Sequence, residues 1–147
     1  MSDLKYMKLA LQQAKLAYKK DEVPVGAVIV FNDKVIAQGH NSNYHDQNSL
    51  NHAEIKVISQ ACEYLKNKDL SQCTLYVTLE PCMMCTGAII NSKIKKVYFG
   101  TFDLKYGAII SNQFYKDDKE TIWSSGLLKD ESAKLLKKYF NEKRRGQ

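Results

Sequence analysis

The sequence predicts an α/β protein, a three-layer α/β/α arrangement around a mixed sheet of roughly five strands. Two observations carry this expectation. Runs rich in β-branched residues alternate with segments whose apolar residues recur at three- and four-residue steps, the signatures of strand and helix respectively. The first two strand-like runs are separated only by Asn32-Asp33, which calls for an antiparallel hairpin ahead of strands that are joined through helices.

Taken in order, Leu4, Met7, Leu11, Ala14 and Tyr18 form one stripe of a first helix, with lysines over much of the opposite face. A nearly unbroken run over 23–31 and a second over 35–37 form the hairpin. A polar loop is expected over 41–51. The segment 52–65 then places Ile55, Ile58, Ala61, Cys62 and Leu65 on one helical face. Thr74-Leu75-Tyr76-Val77-Thr78-Leu79 has the composition and length of a strand, and Pro81 stands where a helix over 82–91 can begin. Lys96-Val97-Tyr98-Phe99-Gly100 reads as a further strand, 101–118 as irregular, 121–123 as a weak strand, and 130–144 as a closing helix.

A chain of 147 residues suits one domain, 1–147, with a real core. Hydrophobic residues at 44% and charged residues at 26% are a globular balance, and no segment offers the roughly 18 uninterrupted apolar residues of a membrane span. The first residues interleave Asp3 and lysines with leucines, unlike a secretory signal, so a cytoplasmic location is expected. The net charge of +6 suits a polyanionic partner, yet Arg144 and Arg145 are the only arginines among the basic residues, so the charge alone does not decide for nucleic acid. In such a chain a Cys-x-x-Cys pair points to metal binding or catalysis rather than to disulfides.

Chemistry concentrates in His52-Ala53-Glu54 and Pro81-Cys82-Met83-Met84-Cys85, each expected at the N-terminal end of a helix with a strand between them. One helical turn brings the sulfurs of Cys82 and Cys85 to one side, within reach of a single zinc at about 2.3 Å each. Helix-end potential and metal both favour the thiolates. His52 as third ligand leaves one tetrahedral position for water, the arrangement of a catalytic zinc. Cys62 lies roughly 15 Å down the helix from His52, and Cys73 roughly 20 Å away along its strand. Both are therefore read as buried thiols acting as small hydrophobes.

Glu54 is the expected general base and acid, beside the water. Residues two apart on a helix face nearly opposite ways, so His52 and Glu54 converge only if the pair opens the helix. The polar residues Gln47, Asn48, Ser49 and Asn51 supply candidate caps for that start.

His-x-Glu followed by Pro-Cys-x-x-Cys resembles the cytidine deaminase-like zinc enzymes. Within them the chain is similar to the bacterial tRNA adenosine deaminases, through Glu22-Val23-Pro24-Val25-Gly26-Ala27-Val28, Asn41, His52-Ala53-Glu54-Ile55, Thr74 to Cys82, Asp103 to Gly107, Gly126-Leu127 and Asp130-Glu131. The resemblance implies a cytidine deaminase-like fold, one Zn2+ per subunit on His52, Cys82 and Cys85, Glu54 as proton shuttle, and hydrolytic conversion of the wobble adenosine of an arginine tRNA anticodon to inosine. It implies that Asn41 hydrogen-bonds the target base and that Pro24 and Val25 line its pocket. It also implies that Asp103 and Lys105 grip neighbouring nucleotides, that Phe140 with Lys143, Arg144 and Arg145 meets RNA, and that two subunits form a homodimer. Read without it, Asn41 is a turn residue, Pro24 and Val25 begin a strand, and Phe140 is a core aromatic on a helix with a solvated basic end.

Two departures from the family pattern stand out. The short Asp-Pro-Thr-Ala usual before the histidine is replaced by Asp46-Gln47-Asn48-Ser49-Leu50-Asn51, and Asn141 stands where an arginine usually follows the terminal aromatic. Three other readings compete. The same chemistry on free guanine or cytosine shares the zinc residues. A thioredoxin-like redox protein lacks a use for His52-Ala53-Glu54 and wants a proline downstream of the cysteines, whereas Pro24 and Pro81 lie upstream. A structural zinc module that binds RNA wants a fourth protein ligand.

Overall fold

In the computed structural model, which describes residues 3–145, the elements run α1 (Asp3–Lys19), β1 (Gly26–Phe31), β2 (Lys34–His40), α2 (Asn43–Asp46), α3 (Ala53–Leu65), β3 (Cys73–Leu79), α4 (Met83–Asn91), β4 (Lys96–Thr101), β5 (Ile122–Ser125) and α5 (Lys129–Arg145). The strands form one five-stranded sheet in the order β2-β1-β3-β4-β5. β1 is antiparallel to both of its neighbours, whereas β3, β4 and β5 are parallel. This is the mixed sheet that the sequence predicts. No helix among the described residues is long and apolar enough to cross a membrane.

The hairpin turn is made by Asn32 and Asp33, both left-handed at φ 50° and 59°, as the twist-matched two-residue turn requires. The strands around it differ from the expected spans at both ends. Residues 23–25 stay outside β1 because the Val25 N–H turns back to the Val23 carbonyl at 2.8 Å, around a Pro24 that has no N–H to give a sheet. β2 runs on to His40, past a bulge at which Ile29 pairs with Ala37 and Val30 with Val35.

Alternate residues of the strands feed two apolar layers. On one face Ala27, Ile29, Leu75, Val77, Val97 and Phe99 meet Ala53, Val57 and Ala61 of α3 and Ile89 of α4. On the other, Val28, Val30 and Tyr76 meet Tyr6, Met7 and Ala10 of α1. There Tyr76 stacks on Tyr98 with ring centroids 5.0 Å apart. α1 lies directly on the backbone of β1: a Cβ at Gly26 would stand 2.0 Å from the Ala10 carbonyl oxygen. The apolar stripe of α3 is displaced from the expected one. Ala53, Val57, Ile58 and Ala61 are buried while Ile55 is only half-buried; both stripes are apolar, and periodicity alone does not choose between them.

The expected loop over 41–51 contains the one-turn helix α2. Its N–H groups explain it: those of Tyr44 and His45 point at the carboxylate of Glu22, at 3.1 and 2.7 Å. Glu22 is 0% exposed, so the turn forms around a buried acceptor 22 and 23 residues earlier in the chain.

Strand register gathers the site. Gly26 pairs with His40, and Ala27 with Val77. The start of β1, the end of β2 and the end of β3 therefore meet at one end of the strands, the end at which α4 begins.

Candidate active site

His52 and Cys82 occupy matching positions. Each is the N-cap of a helix, in extended backbone at φ −75°, ψ 155° for His52 of α3 and φ −75°, ψ 178° for Cys82 of α4, and neither side chain caps its own helix. Both are thus free to turn outward. Cys85, in the first turn of α4, is fully buried. The three converge: His52 Nδ1 lies 3.7 Å from Cys82 Sγ and 3.5 Å from Cys85 Sγ. All three donor atoms fall within 4.8 Å of one another, a group able to hold a metal ion. Cys62 and Cys73 stay outside it among the apolar residues around α3 and β3, and burial pushes the Cys73 thiol up to about 11.

α3 is capped from a distance. The Asn41 side-chain oxygen accepts the Ala53 N–H at 2.8 Å, a task expected of the polar run before His52. That run is occupied with itself: Asp46 accepts from Ser42 and Asn51, and Asn48 from the Leu50 N–H. Asn41 is 7% exposed, and its side-chain oxygen is committed to this cap.

Glu54 sits in the first turn of α3 and is 4% exposed. With His52 at the cap position, both residues stand at the head of α3. Burial pushes the Glu54 carboxyl up to about 7, and the nearby Cys82 thiolate adds to the rise against the opposing pull of His52. A group that gains and loses a proton near neutrality is suited to carry protons. The cysteines separate. The hydrogen bond from Cys85 holds the Cys82 thiol far below its ordinary value, and the same bond, with burial, drives Cys85 far above. The hydrogen bond to Cys82 raises His52. Two thiols and an imidazole nitrogen within reach of one point are the donor types that a soft or borderline cation such as zinc takes.

The remaining predicted residues lie around this cluster in different settings. Pro24 is buried, and Val25, 4% exposed, belongs to the core layer under α3. Asp103 is half-buried, its carboxylate accepting the N–H groups of Lys105 and Tyr106, while Lys105 is exposed with its Nζ over the Tyr106 ring. Phe140 is 47% exposed and packs edge-on against Tyr139, so it is not a core aromatic. Lys143 pairs with Asp21 at 2.5 Å, and Arg144 donates to Asn141.

Sequence reading assigned no task to Glu22, His40 or Glu80, all buried. Glu22 and Glu80 fall in segments that carry the resemblance, but in the sequence they show only polarity beside apolar strand ends, as does His40.

The model of the MafB19-like deaminases matches residues 1–142, and the chain belongs to that deaminase family. Among its relatives are tRNA-specific adenosine deaminases. That of Rickettsia bellii is 43% identical over 142 residues, 92% of this chain and 98% of that protein. That of Bacillus subtilis is 42% identical over 146 residues, 95% of this chain and 89% of that protein. A solved structure from work on A-to-I editing by tRNA:A34 deaminases, at the wobble position of transfer RNA, matches with a TM-score of 0.86 and 41% identity over 90% of this chain and 99% of that one. The cytidine deaminase-like fold predicted from the motifs is the fold observed.

Proposed function

We propose that this protein converts the wobble adenosine of a tRNA anticodon, that of an arginine tRNA, to inosine and ammonia. The observation that carries the reading is the convergence of His52, Cys82 and Cys85 beside a buried Glu54, in a chain 43% identical to a tRNA-specific adenosine deaminase. The residues act as one deaminase domain over 1–147, in the cytoplasm.

His52, Cys82 and Cys85 would hold one Zn2+ per subunit. Zinc bonds of about 2.3 Å to sulfur and 2.0–2.1 Å to nitrogen at tetrahedral angles give an N···S separation of about 3.6 Å, and the two observed are 3.5 and 3.7 Å. Zinc bound there supplies a Lewis acid that lowers the pKa of a water to near neutrality. Glu54 accepts the proton of the water that attacks C6 of the base and gives it to the adjacent ring nitrogen; it then takes the proton of the newly added C6 hydroxyl and passes it to the amine, which leaves as ammonia as the C–N bond breaks and the C=O forms. Its burial keeps bulk water from competing for that proton.

Asn41 donates its amide N–H to the base, and Pro24 and Val25 form the apolar wall beside it. Flipping the base costs a few kcal/mol, less in a loop than in a duplex. Asp103 and Lys105 hold nucleotides beside the flipped one; Phe140 stacks, and Lys143, Arg144 and Arg145 neutralise phosphates. A homodimer is supported by Met83, Leu104, Tyr106, Ile110 and Phe114, large side chains that are half or more exposed on α4 and the segment after β4. The test is incubation of an arginine tRNA anticodon stem-loop with purified protein, followed by nucleoside analysis, with free guanine and cytosine as controls. Inosine in the stem-loop is expected. Deamination of the free bases with an unchanged stem-loop refutes the reading.

A further inference from the structure

The side chain of Glu80 is buried, the residue being 2% exposed, and among the described residues it belongs to no metal-capable group. It stands between the end of β3 and Pro81-Cys82, where its own N–H is bound to the Thr101 carbonyl at 2.9 Å. The side chain is the hub of the segment that follows β4. One oxygen, Oε2, accepts three consecutive N–H groups, those of Ile109, Ile110 and Ser111, at 3.2, 2.8 and 3.0 Å. The other, Oε1, accepts the Asp103 N–H at 3.2 Å and the Ser111 hydroxyl at 2.5 Å. Successive backbone N–H groups aimed at one point make an anion-binding concavity, and here a side chain of the protein fills it.

Room for that carboxylate depends on Gly107. A Cβ there would lie 2.3 Å from Glu80 Cδ and 2.5 Å from the Asp103 carbonyl oxygen. The segment is tied to the same place a second time, through the Ala108 N–H to the Pro81 carbonyl at 2.9 Å. The loop that presents Asp103 and Lys105 is thus wrapped around the residue pair that leads into Cys82.

We infer that Glu80 is a positioning residue for substrate: its carboxylate sets the 103–111 loop against the metal-capable cluster, so that nucleotides beside the reacting base are held in register with Glu54. This rests on the deaminase reading above. Glu80→Gln keeps the volume but turns an NH2 toward N–H groups that need an acceptor, whereas Glu80→Asp keeps the charge and shortens the reach. Hydrogen bonds to a charged acceptor are among the stronger ones, so losing even one is expected to give an effect of about tenfold or more.

For Glu80→Gln, in zinc-loaded protein acting on the anticodon stem-loop, KM is expected to rise about tenfold or more with a smaller change in kcat. Zinc content should stay at the wild-type value, and amide exchange at Ile109, Ile110 and Ser111 should accelerate. Glu80→Asp should recover part of the KM. Wild-type KM with wild-type exchange in Glu80→Gln overturns the inference, as does a loss confined to kcat with zinc released, which places the effect at Cys82. If Glu80→Gln does not fold, Ser111→Ala removes only the 2.5 Å bond and should raise KM and exchange in the same direction; wild-type behaviour of that variant counts against the inference. Wild-type protein that makes no inosine refutes the deaminase reading instead, while the exchange measurement still reports on the loop.

Discussion

Asn41, one residue beyond β2, accepts the backbone N–H of Ala53 at 2.8 Å and thereby caps the helix whose N-cap residue is His52. One side chain thus supports the first turn that carries Glu54, and in the proposed function its other end, the amide nitrogen, donates to the base.

The two ends of Asn41 separate by substitution. Asn41→Ala should lose about 1 kcal/mol of stability with the cap and activity with it. Asn41→Asp keeps an acceptor for Ala53 but offers the base no N–H donor, so stability in urea should stay near wild type while turnover falls. A fully active Asn41→Asp removes the proposed base contact; an unstable one removes the cap.

Glu54 and the metal-capable cluster should fail differently. Glu54→Gln should retain one zinc per chain by metal analysis and lose at least about 10²-fold in kcat. Cys82→Ser or treatment with a chelator should lose zinc and activity together, and in the chelated wild type added zinc should restore both. Wild-type turnover in Glu54→Gln defeats the shuttle role, and activity that survives complete zinc removal defeats the metal role.

His40 gives stability a pH dependence of known sign. Its Nδ1 lies 2.9 Å from the Asn41 carbonyl, which only accepts, so Nδ1 carries the proton and Nε2 faces Lys20 Nζ at 3.5 Å as an acceptor. Burial lowers its pKa below the ordinary value; Lys56 and Lys20 add to the lowering, while the Asn41 bond and Glu22 oppose it. The unfolded chain therefore binds this proton more readily than the native one. The stabilisation is complete above the unfolded value of about 6.5 and is lost as pH falls through it toward the native value. Between pH 7 and pH 5 the melting temperature of wild type should fall relative to that of His40→Gln. Identical slopes refute the assignment.

Two glycines should rank in a definite order. Gly26→Ala drives a Cβ to 2.0 Å from the Ala10 carbonyl and 2.4 Å from the Ala14 nitrogen, both backbone atoms of α1, and should cost about 3 kcal/mol or more. Gly126, at φ 104° with nothing within 4 Å, has only backbone strain to lose, about 1–3 kcal/mol. Urea denaturation that finds Gly126→Ala the less stable variant contradicts the close packing of α1 on β1.

What the sequence made legible was whatever local spacing encodes. The hairpin announced itself through Asn32-Asp33, and the cluster through cysteines one helical turn apart and a His-x-Glu that makes sense only at a helix start. The buried carboxylates were another matter. Glu22 and Glu80 bind mostly backbone N–H groups from segments some twenty to thirty residues later in the chain, and every residue but proline owns such a group, so no partner type marks the pairing. The same holds for Asn41, whose acceptor role depends on where β2 delivers it, and for α2, which exists because Glu22 lies beneath it. The displaced stripe of α3 had a simpler cause, two overlapping apolar faces of which only packing selects one.

His52 and Cys82 stand at the heads of two helices and outside both apolar layers. A slide of either helix along its axis would open both histidine-to-sulfur distances together, so the seating of α3 and α4 on the sheet sets the tolerance of the whole cluster.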